Sequence, residues 1–232
     1  MKRDPVLVLL PGMDGSGVLF DRLLGVLREM DTLVLDLPQE GSQDYERLEA
    51  YVRSRLPEQE FVLLAESFSG GIAARLSQRP PKNMRGVIFV ASFLSAPKRW
   101  LVRIAGLLPL RFLAGLPFTD FGFRMLLIGR DADDVLAATF KKVIRSVPRD
   151  VLKARLRVIA DARYDGFVVG IPALYIAGTR DVLVGKDKCD EVLTAYPRSD
   201  VKKVDGPHFI LQSRFEASGR YIRESYMEGW WR

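Results

Sequence analysis

Three residues that could do chemistry together stand far apart in this chain. Ser67 lies in Ala65-Glu66-Ser67-Phe68-Ser69-Gly70-Gly71, directly after the apolar run Phe61 to Leu64. Asp181 follows Ala177-Gly178-Thr179-Arg180, and His208, the single histidine of the chain, sits in Asp205-Gly206-Pro207-His208. A serine hydroxyl is a poor nucleophile at its own pKa and needs an adjacent base. An imidazole supplies that base, and a carboxylate behind it fixes the tautomer. Each residue alone has a plainer reading. Ser67 could be a turn or N-cap serine, and a lone histidine is usually an ordinary surface or core residue. The order and surroundings of the three decide between these readings.

The elements around them place all three on one edge. Val6–Leu10 and Thr32–Leu37 read as strands, as do 61–65, 86–91, 172–177 and 200–204. The more central of these runs are continuously apolar, as expected of strands buried on both faces in a parallel sheet. Helical patterns lie between them: from Val18 to about Met30, Tyr45 to about Leu56, from Ile72 to near Pro80, Lys186 to Tyr196, and a closing helix through Glu228. This alternation predicts βαβ units and a doubly wound sheet of six strands with helices on both faces. Right-handed crossovers then put the strand C-termini, and with them the loops at Pro11, Ser67, Ala91, Asp181 and His208, at one rim. At Ser67 the strand turns at once into a helix, which requires small neighbours and leaves free N–H groups beside the hydroxyl. Ala65 and Ser69, two residues before and two after the serine, meet that requirement.

The alternation stops between 96 and 160. We expect a core domain from 1–95 and 161–232, interrupted by a helical lid at 96–160. In its first half, Lys98, Arg99, Arg103, Arg111, Arg124 and Arg130 are set among many large apolar residues, with Asp120 the only acid in 98–130. Two readings fit this stretch. One is a lid that packs its apolar face on the domain while the arginines reach solvent. The other is a basic, greasy lid that covers an acyl pocket and makes weak contact with an anionic membrane surface.

Composition excludes several alternatives. The 232 residues are 48% hydrophobic and 28% charged, ordinary for a globular chain with a sizeable core. One cysteine, Cys189, rules out an internal disulfide and fits a reducing, cytoplasmic setting. One histidine and one cysteine offer no metal-ligand cluster, so neither metal nor cofactor is expected. Gly12, Gly15 and Gly17 have the wrong spacing for a dinucleotide loop. A net charge of +6 alone does not argue for nucleic acid, and no such partner is expected. No run is long enough for a signal peptide core or a membrane span.

Taken together, these motifs resemble the α/β-hydrolase-fold serine hydrolases over nearly the whole chain apart from the lid. Leu9-Leu10-Pro11-Gly12-Met13-Asp14-Gly15-Ser16-Gly17 is similar to the family's oxyanion loop. Its form, with the Glu66-Ser67-Phe68-Ser69-Gly70 turn, resembles plastid esterase/lipase/thioesterase and phytyl ester synthase relatives. Gly178 to Asp181 and Gly206 to His208 resemble the acid and histidine loops, in the family's order of serine, acid, histidine. The departures are Pro11 where a histidine is frequent, and Ala65 and Ser69 in place of two glycines. The resemblance implies Ser67 as nucleophile, His208 as general base and Asp181 as its carboxylate, with the backbone N–H groups of Met13 and Phe68 as the oxyanion hole. Asp187 and Asp205 are rival acids. Asp187 falls at a helix start, and Asp205 is so near His208 that its side chain should cap the loop. Asp14 and Ser16 should order the oxyanion loop and cap the helix after it.

The expected activity is hydrolysis of carboxylic esters or thioesters with an apolar acyl chain. An acyltransferase with the same triad is one alternative, and a non-catalytic small-molecule binder on this fold is another.

Overall fold

A computed structural model describes residues 4–98, 124–129 and 132–231. Its six strands form one wholly parallel sheet: β1 (Val6–Leu10), β2 (Thr32–Val34), β3 (Phe61–Glu66), β4 (Met84–Val90), β5 (Ala173–Gly178) and β6 (Ser199–Val204). The order across the sheet is β2-β1-β3-β4-β5-β6. The chain therefore reverses direction across the sheet between β1 and β3. Open parallel sheets place their ligand crevice at such a reversal, beyond the strand C-termini. Leu10 is in register with Ala65, so the loop after β1 and the turn after β3 leave the sheet side by side.

Strand alternation sorts the core into two layers. Val8, Leu10, Leu63, Ala65, Val87, Phe89 and Tyr175 face one side. There they meet α2 (Tyr45–Arg53), α3 (Gly70–Gln78), α5 (Arg149–Asp161) and α6 (Lys186–Ala195). Leu7, Leu9, Val62, Leu64, Ile88, Val90 and Ile176 face the other side, against α1 (Asp21–Val26), α7 (Ile210–Ser213) and α8 (Phe215–Met227). Between β4 and β5 the described chain also forms a π-helical turn (Arg124–Ile128) and α4 (Asp134–Ser146). A backbone hydrogen bond from Ala96 N–H to the Ala162 carbonyl joins the two segments that flank this excursion. Most of the basic first half of the expected lid, 99–123, lies outside the described residues. The membrane-contact reading rested on that stretch. No helix among the described residues is long and apolar enough to cross a membrane.

Some boundaries differ from expectation for local reasons. The first helix is a 3-10 turn (Gly17–Phe20) followed by only six α-helical residues; Gly25 weakens it and Leu27 closes it, its N–H shared between the Leu23 and Leu24 carbonyls. β2 ends at Val34, and just beyond it the Asp36 carboxylate accepts the Gly17 N–H at 2.7 Å. The C-terminal tail packs Trp231 into the core. Its indole lies where a Cβ on Gly86 of β4 would be, and its N–H donates to Ser225 Oγ at 3.0 Å.

Candidate active site

Ser67 holds a left-handed backbone, with φ of 46°, at the junction of β3 and the helix that begins there. That conformation is costly for a residue with a Cβ and persists only where its surroundings impose it. The surroundings are specific. The Ser67 carbonyl accepts from Ser92 Oγ at 2.7 Å, and the Ser92 carbonyl accepts from the Tyr175 hydroxyl at 2.7 Å. Gly70 is needed because a Cβ there would lie 1.9 Å from Ser92 Oγ and 3.1 Å from the Phe93 carbonyl.

Neighbouring strands are about 4.8 Å apart, so the end of β6, three strands from β3, starts roughly 14 Å from the end of β3. The loop after β6 crosses back over the rim to cover that distance. His208 Nε2 then lies 3.0 Å from Ser67 Oγ, and Nδ1 lies 2.7 Å from Asp181 Oδ2. The other oxygen, Asp181 Oδ1, accepts the Leu183 and Val184 N–H groups at 2.8 and 2.9 Å, which locks the carboxylate in place. His208 and Asp181 are both buried, at 7% and 3% side-chain exposure. Burial opposes a charged imidazole. The attraction of Asp181, their hydrogen bond and the nearby Glu66 outweigh that, so the His208 pKa is raised above 6.5.

The rival acids lie elsewhere. Asp205 is 80% exposed, accepts from Thr179 Oγ1 and pairs with Arg180, both at 3.0 Å. Asp187 is 71% exposed in the first turn of α6. Asp14 does order its loop, accepting the Ser16 N–H and hydroxyl on Oδ2 at 2.9 and 2.8 Å. Ser16 makes no side-chain cap to the 3-10 turn, because its hydroxyl is committed to Asp14.

Met13 and Phe68 occupy the adjoining loop and helix start. Met13 N–H has no acceptor among the described residues. Phe68 lies in the first helical turn, where N–H groups have no partner within the helix. Two of the departures from the usual pattern touch each other. Ser69 Oγ donates to the Pro11 carbonyl, tying the turn after β3 to the loop after β1. A glycine at 69 could not make that bond.

Sequence reading missed three buried polar residues here. Glu66, 5% exposed, accepts from Gln212 Nε2 at 2.8 Å. Burial pushes its pKa up to about 7; the Gln212 bond opposes this, the Asp14 carboxylate adds to it, and His208 and the Gly12 N–H oppose it. Arg155 of α5 is fully buried against the loop after β1. A visible signal existed for both. Glu66 is an acid closing an otherwise apolar strand. Arg155 shares the helical stripe of Val151, Leu152, Leu156 and Ile159, all buried. Gln212 carried no such signal.

Over this rim lies a third apolar cluster, made by Ile128, Leu136, Phe140, Val143 and Ile144, which packs on Met13 and Phe209. Phe140 meets the Phe209 ring edge-on at 5.2 Å, and the Phe209 N–H donates to the Leu127 carbonyl at 3.0 Å. An apolar surface thus flanks both the residue after His208 and the loop at Met13.

Comparison with known proteins agrees with this architecture. A family model described as "Serine aminopeptidase, S33" matches residues 6–210. No curated protein sequence matches the chain significantly. Among solved structures, an esterase from Exiguobacterium antarcticum superposes with a TM-score of 0.81 at 14% identity, covering 98% of this chain and 93% of that one. A thermophilic esterase from Thermogutta terrifontis gives 0.79 at 16% identity, with 100% and 92% covered. The enol-lactonase from Burkholderia xenovorans gives 0.78 at 17% identity, with 96% and 91% covered. At these identities the likeness is one of fold.

Proposed function

Since this chain belongs to the serine aminopeptidase S33 family of α/β-fold hydrolases, we propose that it cleaves carboxylic esters with an apolar acyl group through an acyl-enzyme on Ser67. The observation that carries the proposal is the continuous relay Ser67 Oγ, His208, Asp181, with contacts of 3.0 and 2.7 Å. In this reading His208 Nε2 takes the Ser67 proton as the hydroxyl attacks the ester carbonyl. Asp181 stabilises the imidazolium and holds the tautomer that leaves Nε2 free. The negative charge that develops on the carbonyl oxygen is met by the Met13 and Phe68 N–H groups; one such donor is typically worth about 3–4 kcal/mol in the transition state. His208 then protonates the leaving alkoxide. Water, activated by the same imidazole, releases the acid and restores Ser67.

The apolar cluster of α4 and the π-helical turn on Met13 and Phe209 supports an apolar acyl group. We read 96–160 as the cap that carries this surface over the core of 1–95 and 161–232. Esterase and enol-lactonase activities in the names of structural neighbours point the same way, while the family's description includes peptidases. The test is a panel of p-nitrophenyl esters of rising chain length beside amino-acid p-nitroanilides, with wild type and Ser67→Ala. Ester turnover that favours medium or long chains and vanishes in Ser67→Ala is expected. Anilide cleavage exceeding ester cleavage would contradict the ester reading. Adding an alcohol acceptor reports whether the acyl group is transferred instead of hydrolysed.

A further inference from the structure

Arg155 occupies a position on α5 where the helix stripe calls for an apolar side chain, and it is 0% exposed. Its Nε donates to Gln43 Oε1 at 2.9 Å, Nη1 to the Met13 carbonyl at 2.8 Å and Nη2 to the Pro38 carbonyl at 2.9 Å. All three acceptors are neutral. Burial lowers the guanidinium pKa to about 10, and Asp14 opposes that shift from a distance. A buried cation without a directly bonded anion is expensive, and an apolar residue of similar size often serves stability better. Its presence calls for a role beyond packing.

The loop it grips bears on that role. Every carbonyl from Pro11 to Gly15 has a donor. Pro11 takes Ser69 Oγ; Gly12 takes the Gly15 N–H at 3.0 Å; Met13 takes Arg155; Asp14 takes Gln39 Nε2 at 2.9 Å; Gly15 takes the Leu37 N–H at 2.8 Å. In a planar trans peptide, each C=O points opposite the N–H of the next residue. The Gly12 carbonyl turns into the Gly12–Gly15 turn, so the Met13 N–H points out of it. Arg155 fixes the next peptide plane by holding the Met13 carbonyl. The Gly12–Gly15 bond orients the peptide that carries the Met13 N–H, and Arg155 holds the peptide on its far side, so the two together limit how that N–H can turn. The loop is shaped around the guanidinium: Gly15 has φ of 74°, and a Cβ there would lie 2.3 Å from Nη1. The guanidinium carbon also lies 5.8 Å from the ring centroid of Phe68, which carries the other candidate donor.

We propose that Arg155 is a positioning residue which sets the oxyanion-binding N–H of Met13 and so makes the competence of the Ser67 site depend on α5 being docked on the sheet. This inference rests on the reading of Ser67 as an acyl-transfer nucleophile. Arg155 touches no reacting atom and acts through the Met13 peptide. An oxyanion forms only on the way through the transition state, so a misplaced donor lowers kcat and leaves KM nearly unchanged.

The test uses the full chain with Arg155→Met, Arg155→Lys and Arg155→Ala, a p-nitrophenyl ester, and a trifluoromethyl ketone whose serine adduct carries the same oxyanion. Circular dichroism and thermal midpoints follow folding. Arg155→Met should lose about 100-fold in kcat, the scale of a displacement near 1 Å. Its KM should stay within about threefold, and its affinity for the ketone should fall in parallel with kcat. Added guanidinium should restore part of the activity of Arg155→Ala; a residue needed only for packing would show no such rescue. Should the Met and Ala variants not fold, Arg155→Lys keeps the charge but cannot reach three acceptors, and its kcat should still fall clearly below wild type. A folded Arg155→Met, or failing that Arg155→Lys, with wild-type kcat and ketone affinity overturns the inference alone. A wild type that neither turns over ester nor binds the ketone overturns the Ser67 reading and this inference with it.

Discussion

Glu66 offers a quantitative test of the buried polar cluster beneath Ser67. Its carboxyl is moved from 4.5 to about 7 by burial, with Asp14 adding and Gln212, His208 and the Gly12 N–H opposing. The native state therefore holds the Glu66 proton more tightly than the unfolded chain does. Between those two values native protein binds more protons, so this group makes stability fall as pH rises, and the loss is complete above about pH 7. A shift of this size corresponds to about 3 kcal/mol, of which about 2–3 kcal/mol develops between pH 5 and pH 8.5. Glu66→Gln stays neutral throughout and removes that loss. The amide can be accommodated, because Gln212 Oε1 is a buried acceptor without a partner and could accept a hydrogen bond from an amide N–H at 66 after flipping. Flipping strands the Gln212 amino group at a cost of about 1 kcal/mol. The variant should thus be near or slightly below wild type at pH 5 and about 2 kcal/mol more stable at pH 8.5, or roughly 4–8 °C in Tm for a chain of this size. Urea unfolding followed by tryptophan fluorescence at both pH values measures this. A difference between variant and wild type that does not change with pH, or that favours Glu66 at high pH, would refute the reasoning.

Other outcomes follow from the same geometry. Because Asp181 and Glu66 hold the His208 pKa above its usual 6.5 against burial, the acid limb of kcat/KM should lie above pH 6.5. It should move to lower pH in Glu66→Gln; an unmoved limb would remove Glu66 from the electrostatics of His208. Asp181→Asn should lower kcat by about 10⁴ while leaving the fold intact, since the imidazole would hold the wrong tautomer. Steady-state kinetics on that variant showing near-wild-type kcat would make another acid its partner. Trp231→Ala should cost about 3 kcal/mol by opening a cavity against Gly86, read as a lower urea midpoint without a change in KM.

Much of this was legible because the signals were short-range or unique. Apolar runs such as Phe61 to Leu64 declare strands buried on both faces, and alternation with helices forces them parallel. His208 could be placed at the rim with Ser67 because the chain has one histidine and the loop that holds it follows a strand. The helices were less legible. Gly25 cut the first one short, and Arg214, with φ of −134°, broke the expected closing helix into α7 and α8. The buried polar partners lay beyond sequence reasoning. Glu66 meets Gln212 across 146 residues, and Arg155 meets Met13 across 142. Nothing local in either segment says which loop the polar atom will find. The sequence pattern shows that an acid or an arginine is out of place; only the folded chain shows what it holds.

The account turns on an activated hydroxyl at the turn after β3. Intact-mass and peptide-mapping spectrometry after treatment with a fluorophosphonate measures that directly. A single adduct on Ser67 in wild type, absent in His208→Ala of native fold, is the expected result. Folded wild-type protein that stays unmodified, or carries its adduct on another residue, would contradict the central claim.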